Sequence, residues 1–164
     1  MPETRELVIN TGPLIALAAA LGDLRVLNGL YTRVLVPLEV AREILAGNAD
    51  RFAATQFNEA SWLDKRDKPV AVTPSLENTL GPGEAAVIHW ALSERIDVVG
   101  IDEAVGRRVA RLSGLRVTGS LGMLIRAKRE GFPVVLADAI RAMRKRGIWL
   151  SSNVEAAALQ EAGE

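Results

Sequence analysis

Four oxygen-bearing side chains fall where the chain passes from strand into helix: Asn10, Glu43, Glu84 and Asp102. Asn10 follows the apolar run Leu7-Val8-Ile9, and Asp102 follows Val98-Val99-Gly100-Ile101. Glu43 lies in the helical segment after Val34-Leu35-Val36, and Glu84 in the first turn after Gly81-Pro82-Gly83. In an open parallel sheet, ligands bind beyond the carboxyl ends of the strands, so these positions matter most. Three carboxylates and an amide oxygen converging there are an oxygen-only donor set. Hard cations such as Mg2+ or Mn2+ take such ligands, and their usual work is phosphoryl chemistry. Each acid alone has a structural use: Glu84 complements a helix dipole, Asp102 can cap the helix after it, and Glu43 can leave its apolar stripe for solvent. The functional reading rests on their convergence.

Other chemistries are excluded by composition. The 164 residues include no cysteine, which removes disulfides and thiolate metal sites, and the single histidine, His89, sits mid-helix between Ile88 and Trp90 and reads as structural. Asn10-Thr11-Gly12-Pro13 has neither a Walker lysine nor a G-x-G-x-x-G run, so a nucleotide-binding module is the weaker reading. Net charge is zero, yet residues 107–146 hold eleven basic residues against Glu130 and Asp138, a local +9. A polyanion meeting that face would find a favourable local potential whatever the total, because screening confines each charge to about 8 Å at physiological salt. The same charges could equally solvate the outer faces of helices. Trp62, Trp90 and Trp149 are far apart and aromatic content is 4%, which argues against a base-stacking platform.

The elements that must position these residues alternate. Strands are expected at 7–9, 34–36, 98–101 and 115–117, with a weaker one around Trp62-Leu63 and a short one at 70–72. Helices are expected at 14–21, with Pro13 in the first turn and Thr11 or Gly12 as cap, then 24–30, 37–46, 49–58, 84–95, 102–112, 121–129, 136–146 and 151–162. Strands that read as continuous apolar runs belong to parallel sheets covered on both faces. The expected fold is therefore α/β: a three-layer α/β/α sandwich on a mostly parallel sheet of four or five strands, in one domain over residues 1–164 with a core of about 6–131 and a C-terminal helical extension over 132–164. No apolar stretch approaches the ~18 residues of a membrane span, and the N-terminus is acidic, unlike a signal peptide, so a soluble cytoplasmic protein is expected.

The segments LVINTGPLIALA, VPLEVAREIL, GPGEAAVIHWAL, VVGIDEAVGRRVA and LRVTGSLGMLIRAKREG, in that order and spacing over about residues 6–131, resemble a PIN domain. More narrowly they are similar to small prokaryotic PIN proteins akin to the VapC toxins of toxin–antitoxin pairs. The resemblance implies a metal-dependent endoribonuclease with Mg2+ or Mn2+ held by Asn10, Glu43, Glu84 and Asp102, the last three being the catalytic acids. Thr11 matches the hydroxyl residue after the first acid, Ser120 the hydroxyl beside the metal, and Glu103 is an auxiliary acid. Arg107 and Arg108 are candidates for the RNA backbone, with one of them free to pair internally. Kinship also implies a homodimer, for which the Ala/Leu-rich helix over 14–21 could supply a surface although its length and composition serve equally well as core packing, and an antitoxin protein as partner.

Asn10 departs from the general PIN pattern, which has aspartate there. An amide oxygen can ligate Mg2+ but brings no charge and cannot act as a general base, so weaker metal affinity is expected. The alternative reading is a catalytically weakened PIN scaffold that binds RNA or a protein partner without cutting.

Overall fold

The computed structural model describes residues 5–47 and 52–164; the acidic start of the chain and the first residues of the helix expected at 49–58 lie outside them. The order is β1 (Glu6–Ile9), α1 (Thr11–Leu21), α2 (Arg25–Leu30), β2 (Arg33–Val36), α3 (Leu38–Ala46), α4 (Phe52–Glu59), β3 (Asp64–Lys65) and α5 (Pro74–Thr79), followed by α6 (Pro82–Ser93), β4 (Val98–Gly100), α7 (Ala104–Leu112), β5 (Arg116–Thr118), α8 (Ser120–Arg129), α9 (Leu136–Lys145) and α10 (Ser152–Glu161).

All five strands are parallel and lie in the order β3-β2-β1-β4-β5. From β1 the chain moves one way to β2 and β3, then returns to the other side of β1 for β4 and β5. Right-handed crossovers in opposite directions put their helices on opposite faces of the sheet, which produces the α/β/α layering. Neighbouring positions at the end of β4 show both faces: a Cβ at Gly100 would meet Met123 Cε of α8 at 2.9 Å, whereas Ile101 meets α7 at Gly106. Leu7, Val8 and Ile9 are wholly buried, as a central strand covered on both sides requires.

Two expectations need correction. The strand expected at 70–72 does not form; Pro69 precedes it, and the Val70 N–H is taken instead by Glu39 Oε2 at 2.9 Å. The third strand is only two residues and begins after Leu63, not at Trp62-Leu63. Of the two uses open to the helix over 14–21, core packing is observed: Leu14, Leu17 and Ala18 of α1 are buried, and α9, α8, α4 and α3 pack around it. A further helix, α5, was not expected; Pro74 begins it.

Candidate active site

The strand order reverses between β1 and β4, and their carboxyl ends form the crevice where open α/β sheets take ligands. Asn10 ends β1. Its N–H donates to Gly100 O at 2.9 Å, tying the two strands together at this point. Asn10, not Thr11 or Gly12, occupies the N-cap position of α1, in extended conformation and with no capping bond from its side chain. The amide oxygen is therefore not spent on the helix, and it lies buried at the crevice, 7% exposed.

Asn10, Glu43 and α6 meet at Gly83. A Cβ at Gly83 would stand 2.7 Å from Glu43 Oε1 and 3.1 Å from Asn10 Oδ1, so the missing side chain is what lets both oxygens approach the first turn of α6. Thr11 holds the other oxygen of this carboxylate: its hydroxyl donates to Glu43 Oε2 at 2.7 Å. Glu43 is otherwise exposed, so this bond and the α6 backbone set its orientation.

Glu84, one residue on, is half-buried, and its Oε2 fills the space where a Cβ of Gly106 would be. Burial, then repulsion from Glu103 and a hydrogen bond shared with it, then repulsion from Glu43, push the Glu84 carboxyl up to about 7. Those causes also record geometry: Glu43, Glu84 and Glu103 are close enough to feel one another. Among the described residues none of Glu43, Glu84, Asp102 and Glu103 has a lysine or arginine within ion-pair distance.

Asp102 is exposed at the end of β4, its Oδ2 facing Gly12. It does not cap α7, whose N-cap is Glu103 without a side-chain bond. Its Oδ1 instead accepts from the Ser120 N–H at 2.8 Å, capping α8 across the sheet end and leaving Oδ2 uncommitted. Ser120 itself is buried. The two arginines divide: Arg107 Nη1 donates to Ile101 O at 2.8 Å beside Asp102, whereas Arg108 is exposed and makes no bond among the described residues. Burial, with help from Arg111, lowers the Arg107 pKa against the pull of Asp102.

From Asp102, Arg107 and Ser120 a cleft of about 600 Å³ extends to Ile148, Trp149 and Val154 between α9 and α10. Several basic side chains of this stretch are ion-paired, some with the two acids already subtracted in the +9 and others with acids outside the stretch, which lower it. Arg126 pairs with Glu130, Arg141 with Asp138, and Lys128, Arg129 and Arg144 with Glu164, Glu161 and Glu155 of the C-terminal segment. Lysines and arginines counted along 107–146 thus meet acids folded back from beyond it.

The fold and site together define an α/β protein with acids gathered at the switch point of a parallel sheet. A family model described as PIN domain matches residues 6–164, including α9 and α10, and the chain belongs to the PIN-domain family. No curated protein and no solved structure matches the chain. PIN domains as a group are a nuclease superfamily of hydrolases and typically use divalent metals.

The donor chemistry fits such a cation: every candidate atom is oxygen, and among the described residues none of these carboxylates has a cation within ion-pair distance, although Arg107 lies near Asp102. Among the described residues no three Asp, Glu or His side chains already close around one point. Like charges with nothing between them hold one another apart, and the Glu84–Glu103 hydrogen bond diverts one acid. Sequence reasoning did not single out Gly83 and Gly106, whose absent side chains admit Glu43, Asn10 and Glu84. The signal was present in GPGE and AVGRR, each a glycine beside a candidate residue.

Proposed function

We propose that this PIN domain is a divalent-metal-dependent endoribonuclease of the VapC-like kind, acting in the cytoplasm as the toxin of a toxin–antitoxin pair, as a homodimer held in check by an antitoxin protein. The observation that carries the catalytic part is the set of unneutralised acids at the switch point, with Glu84 pushed up to about 7. Glu43, Glu84 and Asp102 would hold Mg2+ or Mn2+, with Asn10 Oδ1 as a neutral donor. Such an ion, when bound, activates water and offsets charge on a scissile phosphate.

The chain's own groups divide the remaining work. Thr11 fixes the Glu43 carboxylate by its 2.7 Å bond, and the Ser120 N–H fixes Asp102. Glu103, beside Glu84, helps by repulsion to keep the Glu84 carboxyl raised. Arg108, exposed and unbonded, offers its guanidinium to the RNA backbone, whereas Arg107 is anchored to Ile101 O and steadies the site from within.

Asp102→Asn keeps the shape of the side chain and removes its charge. Cleavage of RNA in Mg2+ or Mn2+ is expected to fall by about 100-fold or more in this variant. Undiminished cleavage would overturn the assignment. One observation, the neutral Asn10, favours the second reading of a scaffold that binds without cutting. Titration with Mn2+ by calorimetry separates the two, since absence of binding at millimolar metal favours the scaffold.

A further inference from the structure

Of the three indoles, Trp62 and Trp90 pack against the core, and Trp90 also carries Arg66 over its ring. Trp149 is 82% exposed and lines the cleft that begins at Asp102 and Arg107. The segment that carries it is fixed from both sides. The Ile148 N–H donates to Met143 O at 3.1 Å, and Leu150 O accepts from Arg144 Nη2 at 3.3 Å, while the same guanidinium pairs with Glu155. A backbone held by these bonds therefore presents an exposed indole in a groove that is also lined by the candidate catalytic acid Asp102.

We propose that this cleft is a nucleotide subsite in which one base of single-stranded RNA, flanking the scissile phosphate, stacks on Trp149. The inference rests on the ribonuclease reading above and adds to it where the substrate lies and in what form. Three observations converge on this occupant. The cleft is lined by Asp102, one of the candidate catalytic acids, so whatever fills it reaches the candidate active site. Its lining is mixed as a nucleotide's surroundings must be: polar at Asp102, Arg107 and Ser120, and apolar at Trp149, Ile148 and Val154, where a base can lie. Its volume of about 600 Å³ is within the range of small-ligand sites and leaves room for a nucleotide. Only an unstacked base can offer its face to an indole, which makes the substrate single-stranded at this point. A fixed indole also loses little freedom when it is covered, so the contact favours binding.

The test is binding of a fluorescein-labelled single-stranded oligoadenylate, with Ca2+ in place of Mg2+, to wild type, Trp149→Phe and Trp149→Ala. The alanine variant is expected to bind about 5- to 150-fold more weakly, the measured range for loss of one stacked base, and the phenylalanine variant to keep most of the affinity. Melting temperature and molecular mass in solution should be unchanged. A second readout leaves position 149 intact: in a Trp62→Phe, Trp90→Phe background, saturating oligoadenylate is expected to quench the remaining indole emission.

Equal binding by wild type and Trp149→Ala, or unquenched emission at saturation, would overturn the subsite while leaving the ribonuclease reading standing if wild type still cleaves. Wild type that neither binds nor cleaves RNA would remove both. A Trp149→Ala protein with altered mass and unaltered RNA affinity would assign the indole to an interface between copies of the chain and overturn the subsite.

Discussion

At the amino end of the sheet Glu6, Asp64 and Glu94 surround Arg33 and Arg66; at the carboxyl end Glu43, Glu84, Asp102 and Glu103 gather with no cation in ion-pair reach among the described residues. Arg33 alone reaches Glu6 at 2.9 Å, Asp64 at 3.0 Å and Glu94 at 3.5 Å. Burial opposes its charge, but the bonds from Asp64 and Glu6 outweigh that and raise its pKa. Arg66 completes the network and covers Trp90. The two clusters use the same side chains to opposite ends. Where the carboxylates are neutralised from within, they join β1, β2, β3 and the end of α6; where they are not, their repulsion is kept in the folded state. Such an uncompensated cluster is tolerated because its members are partly exposed, and it is relieved when an external cation arrives.

The contrast breaks most severely at the glycines that shape the carboxyl end. Gly106→Ala puts a methyl group where Glu84 Oε2 lies, with Ile101 Cγ2 only 3.0 Å away. The carboxylate is the movable partner, so the protein should still fold while Glu84 is displaced. Misplacement by about 1 Å costs on the order of 100-fold in rate, and metal-dependent cleavage is expected to fall by that order. A melting temperature within a few degrees of wild type would show that the loss is local.

The reciprocal change is Arg33→Ala, which leaves three acids without their shared partner. Because these side chains are 29–35% exposed, the cost is about 1–2 kcal/mol, or a fall of about 2–8 °C in melting temperature. Cleavage per folded molecule should not change. If it does, the two ends are coupled and the division between a structural and a functional cluster fails.

Asn10→Asp tests the carboxyl end by increasing its charge. A fourth carboxylate beside Glu43 should strengthen Mn2+ binding, by roughly tenfold, since affinity follows ligand charge count. The same charge should destabilise the metal-free protein by adding to the repulsion. Calorimetry on the two proteins reads the first effect and melting in EDTA the second. Faster cleavage by Asn10→Asp would show that the natural site is a weakened nuclease.

Much of this arrangement was legible before any fold was known. Leu7-Val8-Ile9, Val34-Leu35-Val36 and Val98-Val99 could be read as strands because a parallel sheet buried on both faces leaves uninterrupted apolar runs, and all became strands of the sheet. Edge elements were harder: β3 has two residues, both polar, and the short apolar run at 70–72 was not a strand because Glu39 takes the Val70 N–H that a ladder would need. The strand ends showed where Asn10 and Asp102 would fall, but not what their side chains would do. Asp102 could be expected to cap the helix next in sequence; it caps α8, eighteen residues on, a contact between strand ends that no local pattern encodes. The neutralisation of the basic stretch by Glu155, Glu161 and Glu164 was hidden for the same reason.

The smallest effect should appear in the pH dependence of stability without metal. Glu84 titrates near 7 in the folded protein against an ordinary value of 4.5, so between those limits the native state binds more protons than the unfolded one. Stability contributed by this group is therefore fully present below about pH 4.5 and is lost as pH rises toward 7. In EDTA, wild type should become less stable relative to Glu84→Gln across that window, with no further divergence above it. Because burial is the largest cause of the shift, Glu103→Gln should reduce the pH slope without removing it. A slope that survives in Glu84→Gln would mean that a different group carries it, and would withdraw from the carboxyl end the charge strain that distinguishes it.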